Sequence, residues 1–113
     1  MPDLNQTFAA LSDPTRREVI RLLGEQPLRS GQIAEALETS RPAMSRHLKV
    51  LRRAGIVKEE ILEDDARGRV YRLHPGPFGD LRVWLDEVEA FWEDQLDAFK
   101  KHVEGKHGKR GKQ

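Results

Sequence analysis

The residues best suited to chemistry lie in one short segment, SRPAMSRHLKVLRRAG, at positions 40–55. It holds five Lys or Arg and one His, and it contains no acidic residue. Guanidinium and ammonium groups bind base edges and phosphates. The segment also spaces Met44, Leu48 and Leu51 four and three residues apart, which predicts a helix with one apolar and one cationic side. We therefore expect it to recognise a polyanion; the alternative is a basic surface helix whose charges only confer solubility.

The sequence offers little for catalysis. It has no cysteine, no glycine-rich phosphate loop and no group of residues with the spacing of metal ligands. Its four histidines do not combine with Ser and Asp in an evident catalytic constellation. We therefore predict that the protein is not an enzyme and that it holds neither a cofactor nor a metal.

The charge distribution favours an anionic partner. The net charge is only +1, yet acids crowd into residues 59–65 and 80–97, while bases crowd into residues 41–53 and the stretch after Phe99. Such segregation predicts one electropositive surface. The lack of cysteine fits a reducing compartment, and the sequence shows neither a secretory signal nor an apolar run long enough for a membrane span. We expect a soluble, cytoplasmic protein that makes no membrane contact.

The order of elements indicates how the basic helix is positioned. Asp13-Pro14 opens a helix, Ser30 caps a short second one, and Ser40 caps the basic helix. That helix runs to about Ala54, and Gly55 followed by Ile56 predicts a left-handed C-terminal cap. Two further segments, IVKEEIL and RVYRL, flank the turn EDDARG and predict a β-hairpin. The fold class is therefore mainly α with a small β-hairpin (α+β), a winged helix-turn-helix. In that motif the second helix lies in the major groove of double-stranded DNA.

This fold assigns roles to the side chains of the basic helix. Its N-terminal turns, with Arg41 and Arg46, are expected to reach base edges, whereas residues from Lys49 onward are expected to pair with phosphates. For His47, a phosphate contact and a partly buried hydrogen bond both remain open. The predicted DNA-binding residues of this helix are Ser40, Arg41, Pro42, Ala43, Ser45, Arg46, His47, Lys49, Arg52 and Arg53.

The hairpin is the second predicted contact with DNA. Arg67 and Arg69 flank Gly68 at its tip and are candidate contacts with the minor groove or the backbone. Asp64 and Asp65 lie close by in the sequence and would repel phosphate. The hairpin therefore either bends so that only the arginines approach the duplex, or contributes little.

The closing segment predicts a dimer. Residues 80–104 read as one long helix whose apolar residues recur at i, i+3, i+4 and i+7. Such a helix spans more than about 30 Å, longer than so small a domain can cover, and its exposed stripe would be large for a monomer. We favour a two-fold partner over packing of the whole stripe on its own domain. The predicted interface residues are Phe8, Leu11, Trp84, Val88, Phe91, Trp92, Leu96 and Phe99. We expect residues 1–104 to form one DNA-binding and dimerisation domain, and residues 105–113 to be a disordered basic tail.

Four segments together resemble the ArsR-type winged-helix transcriptional regulators: ALSDPTRREVIRLL, SGQIAEAL, SRPAMSRHLKVLRRAGIVKEE and GRVYRL. The resemblance runs from about Phe8 to the end of the long helix. It implies a homodimeric bacterial or archaeal repressor of a palindromic operator, with a dimer interface made by the first and last helices. A small-molecule effector is a further candidate partner, and no motif identifies it.

The resemblance stops at the metal sites of that family. Sensors with a thiolate site carry cysteines before the recognition helix, where this chain has LRSGQIAEAL. Another site type uses Asp and His along the last helix, but here Asp80 is followed by Arg82, and the only histidine near that helix is His102. The resemblance is therefore to the branch that lacks metal-sensing ligands.

One alternative function is a winged-helix module that binds protein without recognising specific DNA. The basic face disfavours it, because protein-binding surfaces are depleted of charged residues at their core.

Overall fold

The computed structural model describes residues 3–62 and 68–111, with side chains described as far as residue 105. Helices α1 (Leu4–Leu11), α2 (Pro14–Glu25), α3 (Ser30–Ala36) and α4 (Arg41–Arg53) precede strands β1 (Val57–Ile61) and β2 (Arg69–Leu73), and helix α5 (Gly76–Gly111) closes the chain. The two strands form an antiparallel hairpin. This order confirms the predicted winged helix-turn-helix.

The helices begin where local capping chemistry favours a start. A carboxylate oxygen of Asp13 accepts two backbone N–H groups at 2.7 and 3.1 Å, and Ser40 Oγ accepts one at 3.2 Å. Both predicted caps are confirmed. The predicted cap at Ser30 is wrong: α3 begins at Ser30 itself, with Arg29 in the cap position. It begins there because Gln32 Oε1 reaches back to accept the Arg29 N–H at 2.8 Å, as in one half of a capping box.

The two helices of the helix-turn-helix end in the same way with different residues. After α4, Gly55 adopts φ 76° and the N–H of Ile56 donates at 3.0 Å to the carbonyl five residues back, as predicted. After α3, Glu38 takes the equivalent position with φ 53°, and Thr39 makes the matching bond at 2.9 Å. A left-handed conformation costs a non-glycine residue about 1–2 kcal/mol. The tight turn before α4 is therefore held by its surroundings, and no local signal predicted it.

Burial of one side of α4 in the core determines which side of this helix faces outward. Its three apolar residues, Met44, Leu48 and Leu51, are at most 1% exposed, which confirms the predicted apolar side. Burial of each such side chain contributes about 1.5–3 kcal/mol. Their partners come from α2, α3 and the segment after α4, and are Val19, Leu23, Ile33, Ala34, Ile56 and Val57.

Backbone pairing ties the hairpin to the helices. Within the hairpin, Val57 is opposite Leu73 and Glu59 is opposite Tyr71. Leu28, in the connection between α2 and α3, exchanges two backbone hydrogen bonds with Tyr71, at 3.2 and 2.7 Å. The hairpin is thus positioned against the helix-turn-helix. The predicted contact Arg67 lies outside the described residues, as do Asp64 and Asp65.

Helix α5 is longer than the sequence predicted. It begins at Gly76 instead of residue 80, because Pro77 is tolerated in a first helical turn. It continues to Gly111, where we expected a disordered tail from residue 105; lysine and arginine are good helix formers and suit a helix C-terminus. No helix in the described ranges has the length and apolar content needed to cross a bilayer.

The chain divides into two compact units, Met1–Leu81 and Arg82–Gln113. The first unit contains the helix-turn-helix and the hairpin. The second unit is the greater part of α5. One DNA-binding and dimerisation domain over residues 1–104 stays a prediction.

Candidate nucleic-acid interface

The side of α4 opposite the core is cationic and exposed. Arg46, Lys49 and Arg53 all lie on this exposed side. In the part of the chain that the structure describes, neither Arg46 nor Lys49 pairs with a carboxylate. Because the apolar side of α4 is buried in the core, these cations point away from it and are open to an anionic ligand.

The N-terminal turns of α4 present short side chains and one arginine that lies against α3. Pro42 and Ser45 are exposed, and Ala43 is half-buried. A Cβ built on Gly31 would lie 3.5 Å from Nη2 of Arg41, so this guanidinium reaches over the start of α3. The predicted base-contacting residues are therefore together at one end of the helix, close to the turn that precedes it.

His47 makes an intramolecular contact. It is half-buried, and its Nδ1 lies 3.3 Å from Nη1 of Arg16. Arg16 also donates to the carbonyls of Ala10 at 2.8 Å and Ala9 at 2.9 Å, at the end of α1. The structure thus contains the hydrogen bond considered for His47, and the phosphate contact of His47 stays a prediction. Sequence reasoning missed Arg16, because nothing local relates it to a residue 31 positions later.

One residue of β1 that the sequence did not single out, Glu59, has its carboxylate close to the end of α4. Glu59 Oε2 accepts a hydrogen bond from the Tyr71 hydroxyl at 3.0 Å and lies 3.9 Å from Nη1 of Arg52. Its Oε1 lies 3.5 Å from Nη1 of Arg69. We call Glu59, Tyr71, Arg52 and Arg69 the Glu59 cluster. Two predicted DNA contacts, Arg52 and Arg69, thus share one carboxylate.

The cluster is partly shielded from water. The Glu59 side chain is 20% exposed, whereas those of Arg52 and Arg69 are 50% and 62% exposed. Desolvation raises the pKa of the Tyr71 hydroxyl, and its hydrogen bond to Glu59 raises it further. The tyrosine therefore stays protonated and keeps donating to the carboxylate at physiological pH.

A groove of about 790 Å³ runs between α3, the start of α4 and the hairpin. Arg29, Arg41 and Arg69 line it with positive charge, and Glu35 and Glu59 carry negative charge there. Its polar lining suits a polar, charged ligand better than an apolar one. The cations of the helix and the hairpin thus belong to one continuous surface of the first unit.

The residues predicted for a dimer interface divide into an exposed and a partly buried group. In α5, Phe91, Trp92, Leu96 and Phe99 are 58–66% exposed. The other predicted interface residues of α5 are less exposed: Trp84 at 37% and Val88, which is half-buried. In α1, Phe8 is 41% exposed and Leu11 packs on the core of the first unit.

No metal site is formed within the described side chains, because no three of their His, Asp or Glu residues come together in a way that could hold an ion. The histidines whose side chains are described belong to different parts of the chain, with His47 on α4, His74 after β2 and His102 on α5. The chemistry of the interface therefore rests on its arginines and lysine.

Comparison with known proteins shows similarity to transcriptional regulators that have a helix-turn-helix. Residues 13–59, which contain α2, α3, α4 and most of the β1 strand, match the family described as "Bacterial regulatory protein, arsR family". The chain is 38% identical over 95 residues to the HTH-type transcriptional regulator Rv2034 of Mycobacterium tuberculosis, covering 84% of this chain and 83% of that protein. It is 34% identical over 84 residues to the transcriptional repressor SdpR of Bacillus subtilis, covering 73% and 88%.

Solved structures with a similar fold include an ArsR-like transcriptional regulator from Rhodococcus sp. RHA1. It superposes with a TM-score of 0.81 at 30% identity, and the match covers 90% of this chain and 91% of that one. A structure described as a possible transcriptional regulator for arsenical resistance superposes with a TM-score of 0.63 at 35% identity, covering 84% and 93%. Both likenesses extend well beyond the helix-turn-helix.

Proposed function

Because the chain belongs to the ArsR family of bacterial transcriptional regulators, we propose that it is a homodimeric repressor that binds a palindromic DNA operator. The family and the relatives named above are regulators of transcription and not enzymes. The observation that carries the proposal is the division of α4 into a side that is at most 1% exposed and a side with exposed Arg46, Lys49 and Arg53. Such a helix fits the major groove with its N-terminus foremost.

In this proposal the two ends of α4 contact different chemical groups of the DNA. The first turns of α4 meet base edges, with Arg46 the residue best placed by length and exposure to bond a guanine. Residues later in the helix pair with phosphates and fix the register of the protein on the duplex. Contacts proposed on α4 and the hairpin are Ser40, Arg41, Pro42, Ala43, Ser45, Arg46, His47, Lys49, Arg52, Arg53, Arg67 and Arg69.

Homodimerisation is proposed from the exposed apolar residues of α5. Phe91, Trp92, Leu96 and Phe99 place a large apolar surface in water unless a partner covers it. A second copy supplies a surface of the same shape, and two-fold symmetry would set two α4 helices in successive major grooves, about 34–36 Å apart. The name of the relative SdpR supports repression as the outcome.

We also propose that metal ions do not regulate this protein. The chain has no cysteine, and it lacks the Asp and His pattern of the family's other metal sites along the last helix. Zinc, cadmium or arsenite added to a DNA-binding titration should therefore leave the affinity unchanged.

The test of DNA recognition is a footprint on the DNA upstream of the protein's own gene, followed by titrations of variants on the protected site. Arg46→Ala is expected to weaken binding by about 1–3 kcal/mol and to relax sequence preference. Lys49→Ala should weaken binding to all sequences similarly and reduce the log–log salt slope by about 0.9. Unchanged operator affinity in Arg46→Ala would contradict the placement of α4.

The same titrations separate DNA binding from a protein-interaction module. A module that binds only protein would show no footprint and no binding to bulk duplex DNA at low salt.

A further inference from the structure

The carboxylate of Glu59 lies between two cations that are proposed to contact DNA, and we propose that it acts as an electrostatic brake. In this inference, which rests on the proposed function, Glu59 lowers the affinity of Arg52 and Arg69 for the phosphate backbone. The protein consequently binds any duplex less tightly than its exposed cations would allow. Glu59 is thus a residue that determines affinity without having to touch DNA.

The carboxylate of Glu59 lies close to both elements that are proposed to contact DNA, helix α4 and the hairpin. Arg52 belongs to the last turn of α4 and Arg69 to the hairpin, and each has a guanidinium nitrogen within 4 Å of a different oxygen of Glu59, at 3.9 and 3.5 Å. Tyr71, which is directly opposite Glu59 in the hairpin, donates to the carboxylate at 3.0 Å and holds it there. The negative charge therefore stays beside both arginines.

The charge of Glu59 is not required for the local structure. The ion pairs involve arginines that are 50% and 62% exposed, and ion pairs of this kind contribute little to stability. The Tyr71 hydroxyl can donate equally well to the amide oxygen of a glutamine. A neutral Glu59→Gln variant should therefore keep the fold and the hydrogen bond while it removes the charge.

The charge does affect an approaching phosphate. At about 0.1 M salt, charges interact over roughly 10 Å, and a phosphate bound by Arg52 or Arg69 comes within that distance of the carboxylate. Repulsion then cancels part of the attraction. Because phosphates carry no sequence information, the loss applies to operator and random DNA alike.

Glu60 provides a matched control on the same strand. It pairs with Arg72 at 3.1 Å, and neither residue is among the predicted DNA contacts. Adjacent residues of a strand point to opposite faces, so Glu60 lies on the other face of the hairpin from Glu59. Glu60→Gln changes the net charge of the protein by the same amount as Glu59→Gln, without releasing Arg52 or Arg69.

The experiment titrates the full chain, Glu59→Gln and Glu60→Gln against a random duplex and the footprinted duplex over a range of salt concentrations. Near 0.1 M salt, Glu59→Gln should bind both duplexes about 3- to 10-fold more tightly, the range expected for removing one like charge at this separation. Its log–log salt slope should be steeper by about 1. Glu60→Gln should stay within about twofold of the parent chain.

Two further measurements test whether the effect of Glu59 depends on Arg52 and Arg69. In a chain that carries both Arg52→Ala and Arg69→Ala, adding Glu59→Gln should no longer increase affinity. With Glu59 intact, Arg69→Ala should weaken random-duplex binding less than Lys49→Ala does, a comparison that does not depend on folding of a Glu59 variant.

The inference is overturned if Glu59→Gln binds no more tightly than the parent, if Glu60→Gln gains as much, or if Arg69→Ala costs as much as Lys49→Ala. It is also overturned if the gain persists without the two arginines. Failure of the parent chain to bind either duplex would instead refute the proposed function. Parent binding with no gain in Glu59→Gln would refute the brake alone.

Discussion

The apolar side of α4 and the apolar stripe of α5 show the same periodicity and have opposite surroundings. Met44, Leu48 and Leu51 of α4 are at most 1% exposed within their own unit, whereas Phe91 and Phe99 of α5 are 61% and 66% exposed. Periodicity therefore establishes that a helix has an apolar side, but it does not tell what covers that side. The first region is buried within one chain, whereas the second is largely exposed.

The difference in exposure between the two helices follows from the number of elements that pack against each within its own unit. Helix α4 has 13 residues and contacts α1, α2, α3 and β1. The second unit, as described, is a single helical segment, and one helix cannot bury its own apolar stripe. Helix α5 has 36 residues, a length of about 54 Å at 1.5 Å per residue.

The largest expected effect tests the buried region. Leu48→Ala removes a side chain that is 1% exposed and should lower the free energy of unfolding by about 2–5 kcal/mol, because it leaves a cavity in a packed core. Urea unfolding measures it. Ser45→Ala, at an exposed position of the same helix, should change stability by no more than about 0.5 kcal/mol. Equal effects of the two substitutions would show that α4 is not anchored by this side.

The next effect tests the exposed region. Trp92 is 59% exposed, and Trp92→Glu should weaken self-association at least about 100-fold, because tryptophan is among the residues that dominate protein interfaces. Sedimentation equilibrium measures it. Ala90→Glu introduces the same charge on the opposite side of α5 and should leave association unchanged. A monomeric parent chain, or equal losses in both variants, would contradict the proposed dimer.

The smallest expected effect concerns the helix cap at Asp13 in the first unit, which stabilises the fold through charge and hydrogen bonds instead of apolar burial. Desolvation acts to raise the pKa of Asp13, but the backbone N–H groups of Arg16 and Thr15 and nearby positive charge lower it overall. The stability contributed by the Asp13 charge is therefore present above pH of about 3.9 and is lost as pH falls through the lowered folded pKa.

Asp13→Asn keeps an oxygen that can accept the capping N–H groups, but it cannot be protonated in this range. The drop in melting temperature between pH 7 and pH 3 should accordingly be smaller in Asp13→Asn than in the parent, as measured by circular dichroism. An equal drop in the two proteins would show that the charge of this cap does not contribute to acid sensitivity.

The sequence by itself determined the features that depend on neighbours along the chain. The caps at Asp13 and Ser40 and the left-handed Gly55 involve groups a few residues apart, and the sides of α4 follow from helical geometry. That is why the starts of α2 and α4 and the cationic side of α4 were predicted correctly. The start of α3 was missed by one residue, because Gln32 Oε1 accepts the N–H of Arg29 and places Arg29, instead of Ser30, in the cap position.

Only the tertiary structure decided which of the predicted cations are engaged with other groups. Arg16 contacts His47, and Glu59 contacts Arg52 and Arg69. These residues are brought together by packing of the helices and the hairpin, and no periodic pattern in the sequence relates them. It also decided that Glu38 adopts a left-handed turn without glycine. The physical reason is range: hydrogen bonds and ion pairs act over a few ångströms in space, and distances in space are set by the packed fold and not by position along the chain.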